Sequence, residues 1–144
     1  MTWLRRLAAL PPADRLLLLS AALLLPLVRV ALRTLPFGSV WRVTNRLARA
    51  PSMGPSPTAE RIAWAVSAAG RRVPGGRHCL AQAVTAYILL GRYGHTARVR
   101  LGLSRDGRRG FEAHAWVERE SAVLLGGPDV SLFALLPPLE GEHS

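Results

Sequence analysis

Gly75-Gly76-Arg77-His78-Cys79-Leu80-Ala81-Gln82-Ala83-Val84 is the stretch on which the fold of this chain turns. A Pro/Gly loop, Pro74-Gly75-Gly76, passes into an apolar periodic run that ends near Leu90, and the single cysteine stands at the junction. The pattern predicts a helix from Cys79 to about Leu90, with Gly91 and Gly94 as stops and a core face of Leu80, Ala83, Val84, Tyr87 and Ile88. The N–H groups of a helix's first turn have no partner inside the helix, and the helix dipole is positive there. Both favour thiolate over thiol, so a cysteine at that position is a better nucleophile. The plainer alternative is a small buried hydrophobe, the usual state of a free cysteine.

Towards the C-terminus the period changes from helical to alternating. Ala97–Leu103 alternates small or apolar residues with Arg or Gly, as a half-buried strand does. Asp106-Gly107 is a hairpin signal. Phe111–Glu118 alternates again, with Phe111, Ala113, Ala115 and Val117 on one face and Glu112, His114, Trp116 and Glu118 on the other. Ala122–Leu125 reads as a short third strand and Leu132–Leu136 as a last small apolar segment.

Towards the N-terminus the chain is rich in Leu and Arg. Arg5 and Arg6 before an apolar segment resemble the start of a signal peptide, but Ser20 and Pro26 interrupt the apolar run and no small-residue cleavage site follows. Leu16–Leu25 is shorter than the ~20 residues a membrane span needs. Residues 14–35 therefore read as one or two helices, bent near Pro26, that pack on the domain. Peripheral contact with a membrane surface, aided by the flanking arginines, is the alternative. Ser39–Ala50 is a further helix, 51–57 is a loop, and Thr58 is the N-cap of a helix that Gly70 ends. The loop divides a helical segment, 1–50, from a second half, 58–137, the two packing as one compact unit. The fold class is α+β, with N-terminal helices followed by a core in which the Cys79 helix packs on a small antiparallel sheet carrying His114.

Composition bounds the function. At 144 residues the chain has the size of one domain. One cysteine excludes an internal disulfide framework and suits a reducing cytoplasm. The net charge of +10 comes entirely from arginine, since no lysine is present. Those arginines are scattered, aromatic residues are few, and no nucleic-acid-binding motif occurs, which argues against a nucleic-acid partner. A lone cysteine and dispersed histidines offer no metal-ligand spacing, and no cofactor motif is present.

A reactive thiol needs a base that takes its proton and returns it to the leaving group, and imidazole suits that role near neutral pH. Of the four histidines, His143 lies in the tail, His95 in a Gly-flanked loop as a solvated turn residue, and His78 beside Cys79, where neighbouring helical residues do not face one another. His114 in mid-strand is the best base, a satisfied structural histidine being the alternative. Gln82, one turn beyond Cys79, is either a side-chain donor at the site or an ordinary polar residue of the helix. Trp116 either walls the site or simply packs.

Cys79-Leu80-x-x-Ala83, then His95 to Leu103, then Phe111-Glu112-Ala113-His114-Ala115-Trp116-Val117-Glu118 closely resemble the leader peptidases of lasso-peptide biosynthesis, which belong to the transglutaminase-like cysteine peptidases. The resemblance covers residues 75–136 best. It extends more loosely to the Leu-rich half ending in Leu35-Pro36-Phe37. It implies removal of the leader from a ribosomally made precursor peptide, with Cys79 as nucleophile and His114 as general base and acid. It also implies a separate leader-recognition protein, because the first 70 residues read as helices, and a separate ATP-dependent cyclase similar to asparagine synthetase that closes the ring. Relatives place an aspartate where this chain has Gly126. Asp129 is the nearest acid downstream, and it is assigned to orient His114 in preference to Glu112, Glu118 or a backbone carbonyl. A scaffold of the same fold that binds leader, partner or membrane without chemistry is the competing expectation.

Overall fold

The computed structural model describes residues 5, 8–50, 56–73, 79–106, 110–120, 122–125 and 134–135; for 103–106, 110–114 and 134–135 it describes the backbone. In chain order the long elements are α1 (Pro12–Thr34), α2 (Phe37–Arg49), α3 (Ala59–Gly70), α4 (Cys79–Arg92), β1 (Arg98–Asp106), β2 (Gly110–Arg119), β3 (Ala122–Leu125) and β4 (Ala134–Leu135). The strands form one antiparallel sheet in the order β3-β2-β1-β4. The α+β class, with helices first and a Cys-bearing helix on a small sheet, is what the sequence predicts.

α1 is one continuous helix, not two. It starts at Pro12, a residue suited to the first helical position, has Asp14 in its first turn, and runs through Pro26. Pro26 removes one backbone hydrogen bond. Leu25 and Val28 on either side of it are buried against the rest of the molecule, and that packing carries the helix across the gap. The inner face of α1, Leu17, Ala21, Leu25 and Val28, packs on α3 and α4. An ion pair from Asp14 to Arg61 ties its first turn to α3, and the Arg61 guanidinium stacks 4.2 Å from the centre of the Trp64 ring.

Thr58 caps α3 as its sequence predicts, accepting a hydrogen bond from the Arg61 N–H at 3.1 Å. α2 begins two residues earlier than the Ser39 start, at Phe37, with Pro36 as the flanking residue whose carbonyl accepts the first turn's N–H groups. Phe37, Trp41 and Tyr87 form a row of rings, with centroids 6.1 and 5.0 Å apart, that joins α2 to α4.

α4 is the centre of the molecule. It contacts α1, α2 and α3 on one side and β1, β2 and β3 on the other. Val99 of β1, Ala115 and Val117 of β2 and Leu125 of β3 belong to the same buried cluster as its Ala83, Val84 and Ile88. That cluster also takes in Leu17, Ala21, Leu25 and Val28 of α1. The expected single core face is too narrow: Ala81, Thr85, Ala86, Leu89 and Leu90 are buried as well, and Leu80 and Tyr87 are half-buried.

The helix also runs through Gly91 to Arg92, so Gly91 is not its stop. A Cβ on Gly91 would lie 2.6 Å from the Ala48 carbonyl oxygen and 2.7 Å from the Ala48 Cβ, so α2 approaches too closely for a side chain there. Gly94, at φ +83°, is the left-handed residue that ends the run.

Candidate active site

Cys79 is the first residue of α4, half-buried and unoxidised. The helix that begins with it packs directly on β2, the strand that carries His114. The register of β2 against β1 sets His114 opposite Gly102, so β1 contributes no side chain at that pair. The backbone thus packs a thiol-bearing helix on a histidine-bearing strand, and the described β2 side chains that share its core are Ala115 and Val117. Asp129, Gly126, His78 and His143 lie outside the described residues, as do positions 51–55 and 74–77.

The residues around this pair divide into those near α4's first turn and those that are not. Gln82 is half-buried one turn along from Cys79. Trp116 is fully buried and donates from Nε1 to Glu118 Oε2 at 2.8 Å, which is the packing role. That hydrogen bond engages one oxygen of the Glu118 carboxylate, a candidate for orienting His114.

His95 sits past the other end of α4. Since α4 has 14 residues, the two ends are about 20 Å apart at 1.5 Å per residue. His95 is not the solvated turn residue expected: it is half-buried, and its Nε2 meets the Pro57 carbonyl oxygen at 2.7 Å, so that nitrogen carries the proton and donates. Its backbone N–H bonds to the Leu90 carbonyl at 2.8 Å, and Ser56 Oγ donates to the Tyr93 carbonyl at 2.8 Å. These bonds clasp the segment before α3 onto the α4–β1 connection.

Two polar features escaped the pattern reading. Asn45, buried on α2, donates from Nδ2 to the Trp41 carbonyl at 2.9 Å and accepts from the Tyr87 hydroxyl at 2.7 Å. Burial pushes the Tyr87 phenol above its ordinary 10.0, and the Arg49 guanidinium opposes that shift. A cavity of about 150 Å³ lined by Asn45, Arg49, Tyr87, His95 and Thr96 lies beside this pair, at the end of α4 remote from Cys79. Among the described residues no three His, Cys, Asp or Glu side chains gather as metal ligands would.

A helix that starts with a thiol and packs on an antiparallel strand that carries histidine is the arrangement that papain-like and transglutaminase-like folds share. The chain belongs to the transglutaminase-like superfamily, whose family model matches residues 21–135, from α1 to β4. That superfamily contains cysteine peptidases. No curated protein and no solved structure matches the chain.

Proposed function

We propose that this protein is a cysteine peptidase that removes the leader from a lasso-peptide precursor. The observation that carries the reading is the junction of α4 and β2 inside a transglutaminase-like chain: the helix starts at the only cysteine and rests on the strand that holds His114. The resemblance of Cys79-Leu80-x-x-Ala83 and Ala113–Glu118 to the lasso leader peptidases supports the choice of substrate.

In this reading the catalytic unit is residues 58–137, supported by the helices of 1–50. The Cys79 thiolate attacks the carbonyl at the leader–core junction. The backbone N–H of Cys79, with one further donor, receives the developing oxyanion. His114 takes the thiol proton and delivers it to the departing amine, which is the new N-terminus of the core. Water activated by His114 then hydrolyses the thioester and frees the leader carboxylate. Asp129 orients the imidazole. No cofactor enters this scheme. The work is cytoplasmic, in keeping with a free thiol. The partners are the precursor, a separate leader-recognition protein and an ATP-dependent cyclase that consumes the freed amine.

The test is to incubate the protein with its precursor and the recognition protein and read masses. The reading expects a leader with a free carboxylate and a core with a free amine. Binding without cleavage in every partner combination contradicts it, and would make the protein the non-catalytic scaffold that Gly126 at the aspartate position is compatible with.

A further inference from the structure

The outer face of α1 has no role in the peptidase reading. Leu16, Leu19, Leu23, Leu27 and Val30 are each more than half exposed and follow one another at spacings of three and four residues, so they form a single stripe on one side of the helix. Leu35, Phe37, Val43 and Leu47 add exposed apolar surface on the following segment and α2. A run of large exposed aliphatics is unusual on a protein that meets only water.

Charge says what covers it. Residues 1–50 carry eight arginines and one acidic residue, Asp14, which Arg61 already engages. Arg15 and Arg33 lie 18 residues apart, five full turns, and so share one side of α1, with Arg29 beside them; that side borders the leucine stripe. A second copy would have to set these like-charged borders against each other. A bilayer with anionic headgroups instead takes the leucines into its acyl boundary and the arginines at its phosphates, with the long side chains reaching up to the charge.

α1 is long and apolar enough to cross a membrane by length and composition. Leu17, Ala21, Leu25 and Val28 are committed to α3 and α4, however, and the first turn is held by Arg61, so a spanning position would require leaving the core. We propose that the outer face of α1 binds an anionic lipid surface, with the helix lying in the plane of the interface while its inner face stays in the folded core.

This inference does not rest on the peptidase reading, because its test measures binding and not cleavage. The full chain is sedimented with vesicles of phosphatidylcholine alone and of phosphatidylcholine with phosphatidylglycerol. Partition onto the anionic vesicles is expected, weakening as salt is added. L23E/L27E is expected to lower that partition at least about tenfold, with unchanged circular dichroism because both positions are exposed. R29Q/R33Q, which leaves the apolar stripe intact, is expected to cost about fivefold per arginine on anionic vesicles only. No partition onto anionic vesicles at low salt would overturn the proposal, and so would equal partition by wild type and R29Q/R33Q. A concentration-dependent dimer, or a complex with the leader-recognition protein, that L23E/L27E dissolves in place of vesicle binding would assign the face to a protein and overturn it too.

Discussion

α1 and α4 are both long, apolar helices, yet the molecule uses them differently. In α4 no residue is fully exposed, and six other elements, α1, α2, α3, β1, β2 and β3, pack on it, with small residues such as Ala81, Ala83, Ala86 and Gly91 along its length. In α1 the leucines alternate between a buried face and an exposed one: Leu25 has no accessible surface, while Leu23, two residues away, is 68% exposed. Residue size makes the difference physical. Alanine and glycine let other backbones close in from every side, so α4 packs on both the helices and the sheet. Leucine on all sides of α1 can be satisfied on only one of them by the protein itself.

Substitutions separate the roles of the two helices. The largest effect is expected at the α4–β2 junction: His114→Ala is expected to lower precursor cleavage by about three orders of magnitude or more, read by single-time-point mass spectrometry. Asp129→Asn should cost a comparable factor if that residue orients the imidazole, whereas Glu118→Gln, at a residue that serves Trp116, should leave turnover within an order of magnitude. Leu25→Ala is expected to destabilise the fold by about 2–5 kcal/mol in denaturant titrations, while Leu23→Ala changes it by about 0.5 kcal/mol at most. Equal losses at the two positions would mean that α1 has no outer face.

Gly91→Ala tests the close approach of α2 to α4. The added methyl must displace the Ala48 backbone, so a loss of about 1–3 kcal/mol is expected in thermal or chemical unfolding. A smaller effect than at Gly91 is expected at Tyr87. Replacing it with Phe removes one hydrogen bond to Asn45, worth about 1 kcal/mol at neutral pH. The folded state raises this phenol above 10.0, so its protonated form is favoured by folding. That contribution is fully present below pH 10.0 and is lost as pH rises through the folded value. Alkaline unfolding curves should therefore fall less steeply for Tyr87→Phe than for wild type.

Local pattern carried much of this structure. The Pro/Gly loop before Cys79, the switch from helical to alternating period after Gly94, and Thr58 ahead of α3 are signals within a few residues of their effects, and the elements appear where those signals stand. What local pattern does not carry is how many neighbours an element will meet. A period of 3.6 predicts one apolar face for α4, but helices on one side and a sheet on the other bury it all round. Gly91 looks like a helix stop because its reason for being glycine is Ala48, more than forty residues earlier. His95 looks solvated because its partner, Pro57, lies 38 residues earlier in the chain. At the site, Cys79 was legible as a helix start and His114 as a mid-strand residue, while Asp129, the acid proposed to orient His114, lies outside the described residues.

The central claim is that the thiol at the start of α4 is a nucleophile and not a buried hydrophobe. Cys79→Ala, assayed with precursor and recognition protein beside the wild type, tests it most directly, with circular dichroism confirming the fold. The wild type is expected to release leader and core while the alanine variant releases neither. Cleavage by Cys79→Ala at the wild-type rate would contradict it.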